Sequence, residues 1–342
     1  MSRPSDFRSD TVTRPPREML EAMVHADVGD AVLGDDPTVR RLEEEAAARL
    51  GKEAAIFLVS GTMANQAAVA AWTSPGDEVI LEAESHCIHF EAGGLARNSG
   101  AQIRPLPGRR GALDPSAVKG AIRDGSSLAP RTGLVLLEQT HMNAGGAVLP
   151  VEGLREVQAV ARAASLPVHM DGARLFNAAV ASGLAPSVHA ACADSVSFSL
   201  VKGLCCPAGS LLCGPASFVV RVRRVWRALG GGWRQAGYLA ACGLWALDRL
   251  VDRLGEDHAL ARRLAEGLAA IRGVDVDVGG VETNLVFALV DRAEALSEDL
   301  AARGVLASAF GDRRLRFVTH RDVGPSDVDA ALAAVSAALR RR

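Results

Sequence analysis

The 342-residue sequence is poor in features that mark several classes of protein. Aromatic residues make up 4% of it and tyrosine occurs once, so base-stacking surfaces for nucleic acid are not expected. The formal net charge is −2, which gives no general attraction to nucleic acid or to an anionic membrane. No apolar run approaches the roughly 20 residues of a membrane-spanning helix. Neither nucleic acid nor a membrane is therefore a predicted partner.

The six cysteines lack the spacing of metal ligands. Cys205 and Cys206 are adjacent, and no CxxC pair occurs, so we predict reduced and mostly buried thiols and no metal site. The segment from Met1 to Asp10 is polar and has no apolar core of a signal peptide. We therefore expect a cytoplasmic protein.

Length and patterning predict two domains. At 342 residues and 49% hydrophobic content the chain is long enough for a large domain and a smaller one. Short apolar runs alternate with helical segments up to about Val219, which is typical of an α/β protein with a mainly parallel sheet covered on both faces. We predict an N-terminal segment (1–15), a large domain (16–246) and a small α+β domain (247–342).

The same patterning places the elements. Strands are predicted at 53–59, 78–81, 102–106, 132–138, 166–170, 195–201, 274–278, 284–290 and 315–319. Helices are predicted at 17–25, 38–50, 61–72, 84–94, 115–123, 151–164, 236–255, 257–272, 293–303 and 326–339.

The stretch from Pro167 to Gly214 indicates the chemistry. One apolar run ends on Asp171 and Arg174, and the next ends on Lys202. Charged residues at the ends of buried strands are costly unless they pair or react, and these strand ends border the usual ligand crevice. Pyridoxal 5'-phosphate requires a lysine for its Schiff base and an acid for its ring nitrogen. Taken alone, Asp171 would more simply be a helix N-cap and Lys202 a solvated surface residue.

Other candidates would hold the phosphate of that cofactor. Gly61 and Thr62 open a helix directly after an apolar strand, where free backbone N–H groups and the helix dipole suit a phosphate. Arg234 follows three glycines and offers a cation.

Further candidates would bind a substrate or move a proton. Arg174 and Arg316 could hold a carboxylate with their planar forks, and Ser9 could add a hydroxyl. His86 and His141 both follow strand–loop junctions, and either could cover the cofactor ring or act as the general base. A lone loop histidine is more often structural, so the choice between them stays open.

The ordered motifs resemble the low-specificity L-threonine aldolases nearly end to end. These are pyridoxal-phosphate enzymes of the aspartate-aminotransferase fold (fold type I). The motifs that carry the resemblance are DFRSDTVT (6–13), GDDPT (34–38), GKEAAIF (51–57), SGT (60–62), FEAGG (90–94), EQTH (138–141), DGARLFN (171–177), KGL (202–204), GGGWRQ (230–235) and RFVTH (316–320).

The resemblance implies a role for each candidate. Lys202 would bind the cofactor covalently, Asp171 its ring nitrogen, and Gly61, Thr62 and Arg234 its phosphate. His86 would stack on the ring and His141 would lie near the substrate hydroxyl, while Ser9, Arg174 and Arg316 would bind the amino-acid carboxylate. The implied fold is a large domain with a seven-stranded, mainly parallel sheet plus a small C-terminal domain. The implied assembly is a homotetramer with active sites shared between subunits.

The implied activity is cleavage of L-threonine, L-allo-threonine and related β-hydroxy-α-amino acids to glycine and an aldehyde. Three departures make the pocket more apolar: Leu33 replaces the usual tyrosine, Val201 replaces serine, and Cys205 and Cys206 stand at usually small positions. Aryl-serines would suit such a pocket. The alternatives are a β-eliminating or transaldolase-type enzyme and, more distantly, a non-catalytic cofactor-binding homologue.

Overall fold

A computed structural model describes residues 3–340; residues 1, 2, 341 and 342, at the outer ends of the predicted N-terminal segment and small domain, lie outside that range. The strands are β1 (Ser5–Asp6), β2 (Ala54–Leu58), β3 (Glu78–Glu82), β4 (Gln102–Leu106), β5 (Gly108–Arg109), β6 (Ala112–Leu113), β7 (Thr132–Glu138), β8 (Val168–Asp171), β9 (Ser195–Ser199), β10 (Ser210–Gly214), β11 (Leu285–Leu289), β12 (Val305–Leu306), β13 (Ser308–Phe310) and β14 (Arg314–Val318). The helices are α1 (Arg17–Val24), α2 (Pro37–Leu50), α3 (Gly61–Trp72), α4 (His86–His89), α5 (Gly94–Ser99), α6 (Pro115–Ala121), α7 (Val151–Ala163), α8 (Leu175–Ser182), α9 (Pro186–Ala190), α10 (Ala216–Ala228), α11 (Gly237–Arg249), α12 (Leu254–Ala269), α13 (Ala293–Ala301) and α14 (Pro325–Leu339).

The large sheet has seven strands in the order β2-β10-β9-β8-β7-β3-β4. Its pairs are parallel except those of β10, which runs antiparallel to both β2 and β9. Strands β3, β7, β8, β9 and β10 are buried along their whole length, as expected where helices cover both faces. The predicted α/β class with a mainly parallel sheet is confirmed.

The C-terminal part has its own sheet and core. Strands β11, β14 and β13 form an antiparallel sheet, and α12, α13 and α14 pack around it. The N-terminal segment joins this unit, because β1 pairs in parallel with β12 and the buried Phe7 ring meets Phe317 edge-on at 6.0 Å. The boundary between the domains at residue 247 stays a prediction.

Several predicted elements were wrong or incomplete. Residues 274–278 are not a strand, because Asp275 makes only an isolated bridge to Leu289. The helix predicted at 84–94 is two short helices, separated where Ala92 and Gly93 have positive φ. The helix predicted at 236–255 ends at Arg249. The sequence analysis also did not predict β10, α9 or α10, and it considered α8 only as a helix that Asp171 could cap.

The missed helix α10 explains the cluster of arginines that follows Val219. Phe218, Val222 and Trp226 recur every four residues and are buried, while Arg221, Arg223, Arg224 and Arg227 occupy the other faces. Across residues 3–340 no helix is long and apolar enough to cross a membrane.

Gly172 sets the distance between the ends of β8 and β9. Its N–H donates to the carbonyl of Ser197 at 2.9 Å, and an added Cβ would lie 2.5 Å from that oxygen. We expect Gly172→Ala to force the two strand ends apart and to lower the free energy of unfolding by about 1–3 kcal/mol. Denaturant unfolding measures this change.

Gly153→Ala is the matched control for that substitution. Gly153 lies in α7 with nothing within 4 Å of an added Cβ. Alanine there should be neutral or should stabilise by up to about 1 kcal/mol. Equal effects of the two substitutions would contradict the steric role of Gly172.

Candidate active site

A cavity of about 360 Å³ opens at the carboxyl ends of β8 and β9, the edge where a parallel sheet presents its ligand crevice. It collects most of the predicted site residues from distant parts of the chain. Its lining includes Ser9, Gly61, Thr62, His86, Asp171, Arg174, Lys202 and Arg316. His141 and Arg234 are not among the lining residues.

Asp171 is the last residue of β8 and is buried. Its Oδ2 accepts from the Asn65 side chain at 2.8 Å, and its Oδ1 accepts from the backbone N–H of Ala173 at 3.0 Å. Asn65 is itself fixed, because its Oδ1 accepts from the Ser197 hydroxyl at 2.9 Å. Asp171 is not the N-cap of α8, because that position is occupied by Arg174, and the hydrogen bonds of Asp171 instead hold its carboxylate in place at the cavity.

Lys202 lies three residues beyond the end of β9, on the cavity wall. The chain has three lysines, and the other two lie elsewhere: Lys119 is exposed on α6, and Lys52 donates to the carbonyl of Ala193 at 2.6 Å. Lys202 has no ion-pair partner within residues 3–340.

The environment of Lys202 favours its neutral amine. Its pKa lies below the ordinary value, because burial disfavours the ammonium and the nearby Arg174 repels it, while Asp10, Asp171 and Glu138 offset part of this effect. A neutral amine is the form that attacks a carbonyl.

The N-terminus of α3 supplies anion-binding groups to the same cavity. Ser60 caps the helix, with its hydroxyl accepting from the N–H of Met63 at 3.2 Å. Gly61 and Thr62 belong to the first turn, whose N–H groups have no partner within the helix. An added Cβ at Gly61 would meet nothing within 4 Å, so a bulky anion can approach the backbone.

The two candidate carboxylate-binding arginines have different surroundings. Arg174 is buried and forms an ion pair with Asp10. Arg316 instead donates to the carbonyl of Arg8 at 2.8 Å, and its Cζ lies 4.4 Å from the centre of the Phe310 ring. Over residues 3–340, Arg316 has no carboxylate partner, and its Nε is buried without an acceptor.

Arg316 is therefore a half-buried cation whose charge is poorly compensated. Burial lowers its pKa to about 10, with repulsion from Arg174 contributing and Asp10 opposing. Guanidinium groups match carboxylates with two parallel hydrogen bonds. The arrangement is suited to an anionic ligand that enters through the cavity.

His86 begins α4 and faces the cavity with part of its ring. Its Nδ1 lies 3.3 Å from Oε1 of Glu91, and its side chain is 31% exposed. Burial lowers the pKa of His86, but the bond to Glu91 and the charges of Asp171 and Glu138 raise it, and the net pKa lies above its ordinary value. With Nδ1 directed at Glu91, Nε2 is the nitrogen left for a ligand.

His141 does not reach the cavity. It is 1% exposed, and its Nε2 lies 2.9 Å from Oε2 of Glu82 and 3.8 Å from Oε2 of Glu138. Gly111, at the tip of the β5–β6 hairpin, covers its ring, since an added Cβ there would lie 2.3 Å from Cγ of His141. Although burial opposes it, the two glutamates raise the pKa of His141. The structure thus places His141 as the partner of two buried acids.

Arg234 also lies apart from the cavity of its own chain. Its Nη1 pairs with Asp30 at 2.9 Å, its side chain is 50% exposed, and its carbonyl accepts from the N–H of Ala31. The two glycine-containing loops, 29–36 and 230–234, therefore pack on each other. Leu33, one of the departures from the resemblance, is 76% exposed at the tip of the first loop.

Sequence reasoning missed three polar residues that hold the site. Asp10, Asn65 and Glu91 are all buried and bond to predicted site residues. Asp10 and Glu91 lie inside motifs that carried the resemblance, which was the available signal. Asn65 follows Gly61 by one helical turn, but nothing local distinguishes it from a surface amide.

The chain matches the sequence model of the beta-eliminating lyases over residues 6–293. It is 42% identical to low-specificity L-threonine aldolase 1 of Arabidopsis thaliana, with 98% of this chain and 96% of that protein covered. It is 44% identical to the low specificity L-threonine aldolase of Escherichia coli K12, with 93% and 94% covered. The chain belongs to the low-specificity L-threonine aldolase family. The resemblance inferred from the motifs is confirmed.

Solved structures show the same fold at lower identity. The threonine aldolase of Leishmania major superposes with a TM-score of 0.82 at 19% identity, covering 98% of this chain and all of that one (100%). The predicted fold type is thereby confirmed.

The pairing of Glu91 with His86 predicts a titration effect. We expect Glu91→Gln to lower the pKa of His86 in the cofactor-free protein, because burial remains while the charged acceptor is lost. NMR titration of the labelled histidine ring measures this pKa. The interaction that raises the His86 pKa stabilises the folded protein below about pH 6.5. This stabilisation is lost as the pH rises through the raised pKa of the folded state. The substitution should therefore cost more stability at about pH 6 than at about pH 9.

Glu84→Gln is the matched control, because Glu84 is exposed and lies 3.9 Å from His89 rather than beside His86. The control should leave the His86 titration unchanged. An unaltered His86 pKa in Glu91→Gln would contradict the assigned interaction.

Proposed function

We propose that the chain is a pyridoxal-phosphate-dependent aldolase. It would cleave L-threonine, L-allo-threonine and related β-hydroxy-α-amino acids to glycine and an aldehyde. One observation carries the proposal: Lys202 and Asp171 line the same cavity as Arg316, a half-buried cation without a carboxylate partner within residues 3–340. The names of the relatives agree with this activity.

The residues of the cavity fit the cofactor. The N–H groups of Gly61 and Thr62 would hold its phosphate, Asp171 would keep the ring nitrogen protonated, and Lys202 would supply the amine for covalent attachment. When bound, the cofactor supplies an electron sink for the charge left on Cα as the Cα–Cβ bond breaks.

The remaining residues would bind the amino acid and move its proton. Arg174 and Arg316 hold the carboxylate and so fix the rotation of the bond to be broken. Ser9 lines the same wall and offers a hydroxyl. His86 takes the β-hydroxyl proton at Nε2, directly or through water, because it is the candidate histidine on the cavity wall. We assign His141 a supporting role through Glu82 and Glu138.

Elimination at a bulkier β-substituted amino acid is the second candidate function. The family model that matches the chain is named for that reaction. Val201, Met142, Phe90 and Phe310 give the cavity an apolar wall that a larger side chain could cover. The same lysine, acid and arginines would serve it.

We further propose a cytoplasmic homotetramer with shared active sites. All six cysteines are buried and none forms a disulfide, which suits a reducing compartment. Arg234 and Leu33 lie exposed on adjacent loops away from the cavity of their own chain. In the proposed assembly these loops meet the cavity of a neighbouring copy, where Arg234 would reach the phosphate.

Product analysis tests the activity. Purified protein with pyridoxal phosphate should convert L-threonine, L-allo-threonine or L-phenylserine to glycine and the matching aldehyde. Lys202→Ala should lose the visible absorbance of the covalently held cofactor and nearly all turnover, whereas the exposed Lys119→Ala should keep both. Ammonia and a keto acid in place of glycine would favour elimination, and full activity of Lys202→Ala would refute the assignment.

Arg316→Ala tests the carboxylate site. Losing a charge-assisted paired contact should raise the KM for the amino acid by roughly ten- to a hundredfold while cofactor affinity is kept. Arg314→Ala is the control, because Arg314 lies two residues away on β14 but outside the cavity lining, over the Phe287 ring. Steady-state kinetics and cofactor titration give both quantities. A normal KM in Arg316→Ala would exclude this arginine from substrate binding.

A further inference from the structure

Asp10 is a fully buried carboxylate for which the proposed chemistry has no use. It lies in the N-terminal segment, is 0% exposed, and forms two hydrogen bonds with Arg174. Nε of Arg174 donates to Oδ2 at 2.7 Å and Nη2 donates to Oδ1 at 2.6 Å. The carboxylate therefore engages the side of the guanidinium that carries Nε.

This geometry leaves the far edge of Arg174 unused. A guanidinium has five N–H donors in a planar fork, and Asp10 takes two of them. No residue within 3–340 accepts a hydrogen bond from Nη1 of Arg174. Because Arg174 lines the cavity, the pair of N–H groups on Nη1 and Nη2 is available to a second carboxylate.

Asp10 is also held by residues that flank the C-terminal sheet, directly before β11 and directly after β14. The side-chain amide of Asn284 donates to Oδ2 of Asp10 at 3.1 Å and to the carbonyl of Thr319 at 3.0 Å. Thr13 hydrogen-bonds through its hydroxyl to the carbonyls of Asp10 and Lys202, at 2.8 and 3.1 Å. The N-terminal segment is thus bound both to Asn284, directly before β11, and to the backbone of Lys202.

Asp10 also lowers the net charge of the group formed by Arg174 and Arg316. Arg174 and Arg316 together carry two positive charges, and Asp10 cancels one of them. Burial raises the pKa of Asp10, but Arg174, Lys202 and Asn284 lower it more, and the net pKa lies below its ordinary value. Asp10 is therefore ionised at neutral pH, and the remaining single positive charge matches one carboxylate.

We propose that Asp10 is a positioning residue for carboxylate recognition: it holds Arg174 by one edge so that the other edge, together with Arg316, binds the single carboxylate of the substrate. The inference rests on the proposed function, because it assumes an amino acid in the cavity. A purely structural ion pair would instead stabilise the fold without distinguishing ligands that carry a carboxylate from those that lack one.

The test compares two small amines on the cofactor-loaded protein. Glycine carries a carboxylate and ethanolamine has a hydroxyl in its place, and the binding of each is followed by the absorbance change of the cofactor. We expect Asp10→Asn to raise the dissociation constant of glycine at least about tenfold, and that of ethanolamine less than about threefold. Equal weakening of both ligands, or unchanged glycine binding, would overturn the proposal.

Asp77→Asn is the matched control. Asp77 accepts from Nε and Nη2 of Arg131 at 3.1 and 2.6 Å, the same side-on arrangement, at the opposite end of the large sheet. Both ligands should bind this variant as they bind the wild type. A glycine-selective loss in the control would also overturn the proposal.

If Asp10→Asn does not fold, Asn284→Ala tests the positioning role of Asp10 instead. It removes a hydrogen bond to Asp10 but leaves the ion pair with Arg174 in place. A selective loss of glycine affinity supports positioning through Asp10, and an equal or absent effect on the two amines refutes it. Because binding is read from the cofactor spectrum without turnover, the result is independent of whether the protein cleaves β-hydroxy amino acids.

Discussion

The free-energy cost of burying a charged group determines how the ionised side chains of this structure are paired. Around the carboxyl edge of the large sheet, most buried ionised groups have a partner: Asp10 pairs with Arg174, and Glu82 with His141. Lys202 and Arg316 are both half-buried, have no ion-pair partner within residues 3–340, and line the cavity. An isolated buried charge is expensive, so it persists where a ligand or a chemical step compensates for it. Their surroundings support the proposal that Lys202 reacts with an aldehyde and that Arg316 binds a carboxylate.

The scaffold explains why these groups meet. Parallel strands end at one edge, so Glu138 and Asp171 finish adjacent strands there, paired in register. The antiparallel β14 brings Arg316 from the C-terminal part. The N-terminal segment connects the two, because the Arg8 carbonyl accepts from Arg316 and Asp10 accepts from Arg174. The short stretch from Arg8 to Asp10 thus contacts both arginines of the proposed carboxylate site.

The sequence was most informative at positions where a charged residue interrupts the apolar pattern of a buried strand. Asp171 and Lys202 stood out because a charge follows an apolar run, and the alternation of elements predicted the sheet. Asn65 and Glu91 were not predicted, because their roles depend on partners 106 and 5 residues away that only the fold brings into contact. Strand β10 was missed although Gly209 and Pro215 bound its apolar run, SLLCG, because that run has only five residues and continues the apolar stretch that begins at Leu204. The false strand at 274–278 has strand-like alternation but pairs through one bridge alone.

The two histidines show why residue type does not determine role. His86 and His141 gave the same sequence signal, a histidine just beyond a strand. His141 is enclosed by two glutamates and by the hairpin at Gly111, whose positive φ and missing side chain allow the close approach. His86 has one nitrogen engaged by Glu91 and the other edge open to the cavity. A general base needs a nitrogen within reach of the proton that it takes, and this criterion supports the proposal of His86 rather than His141 as the base.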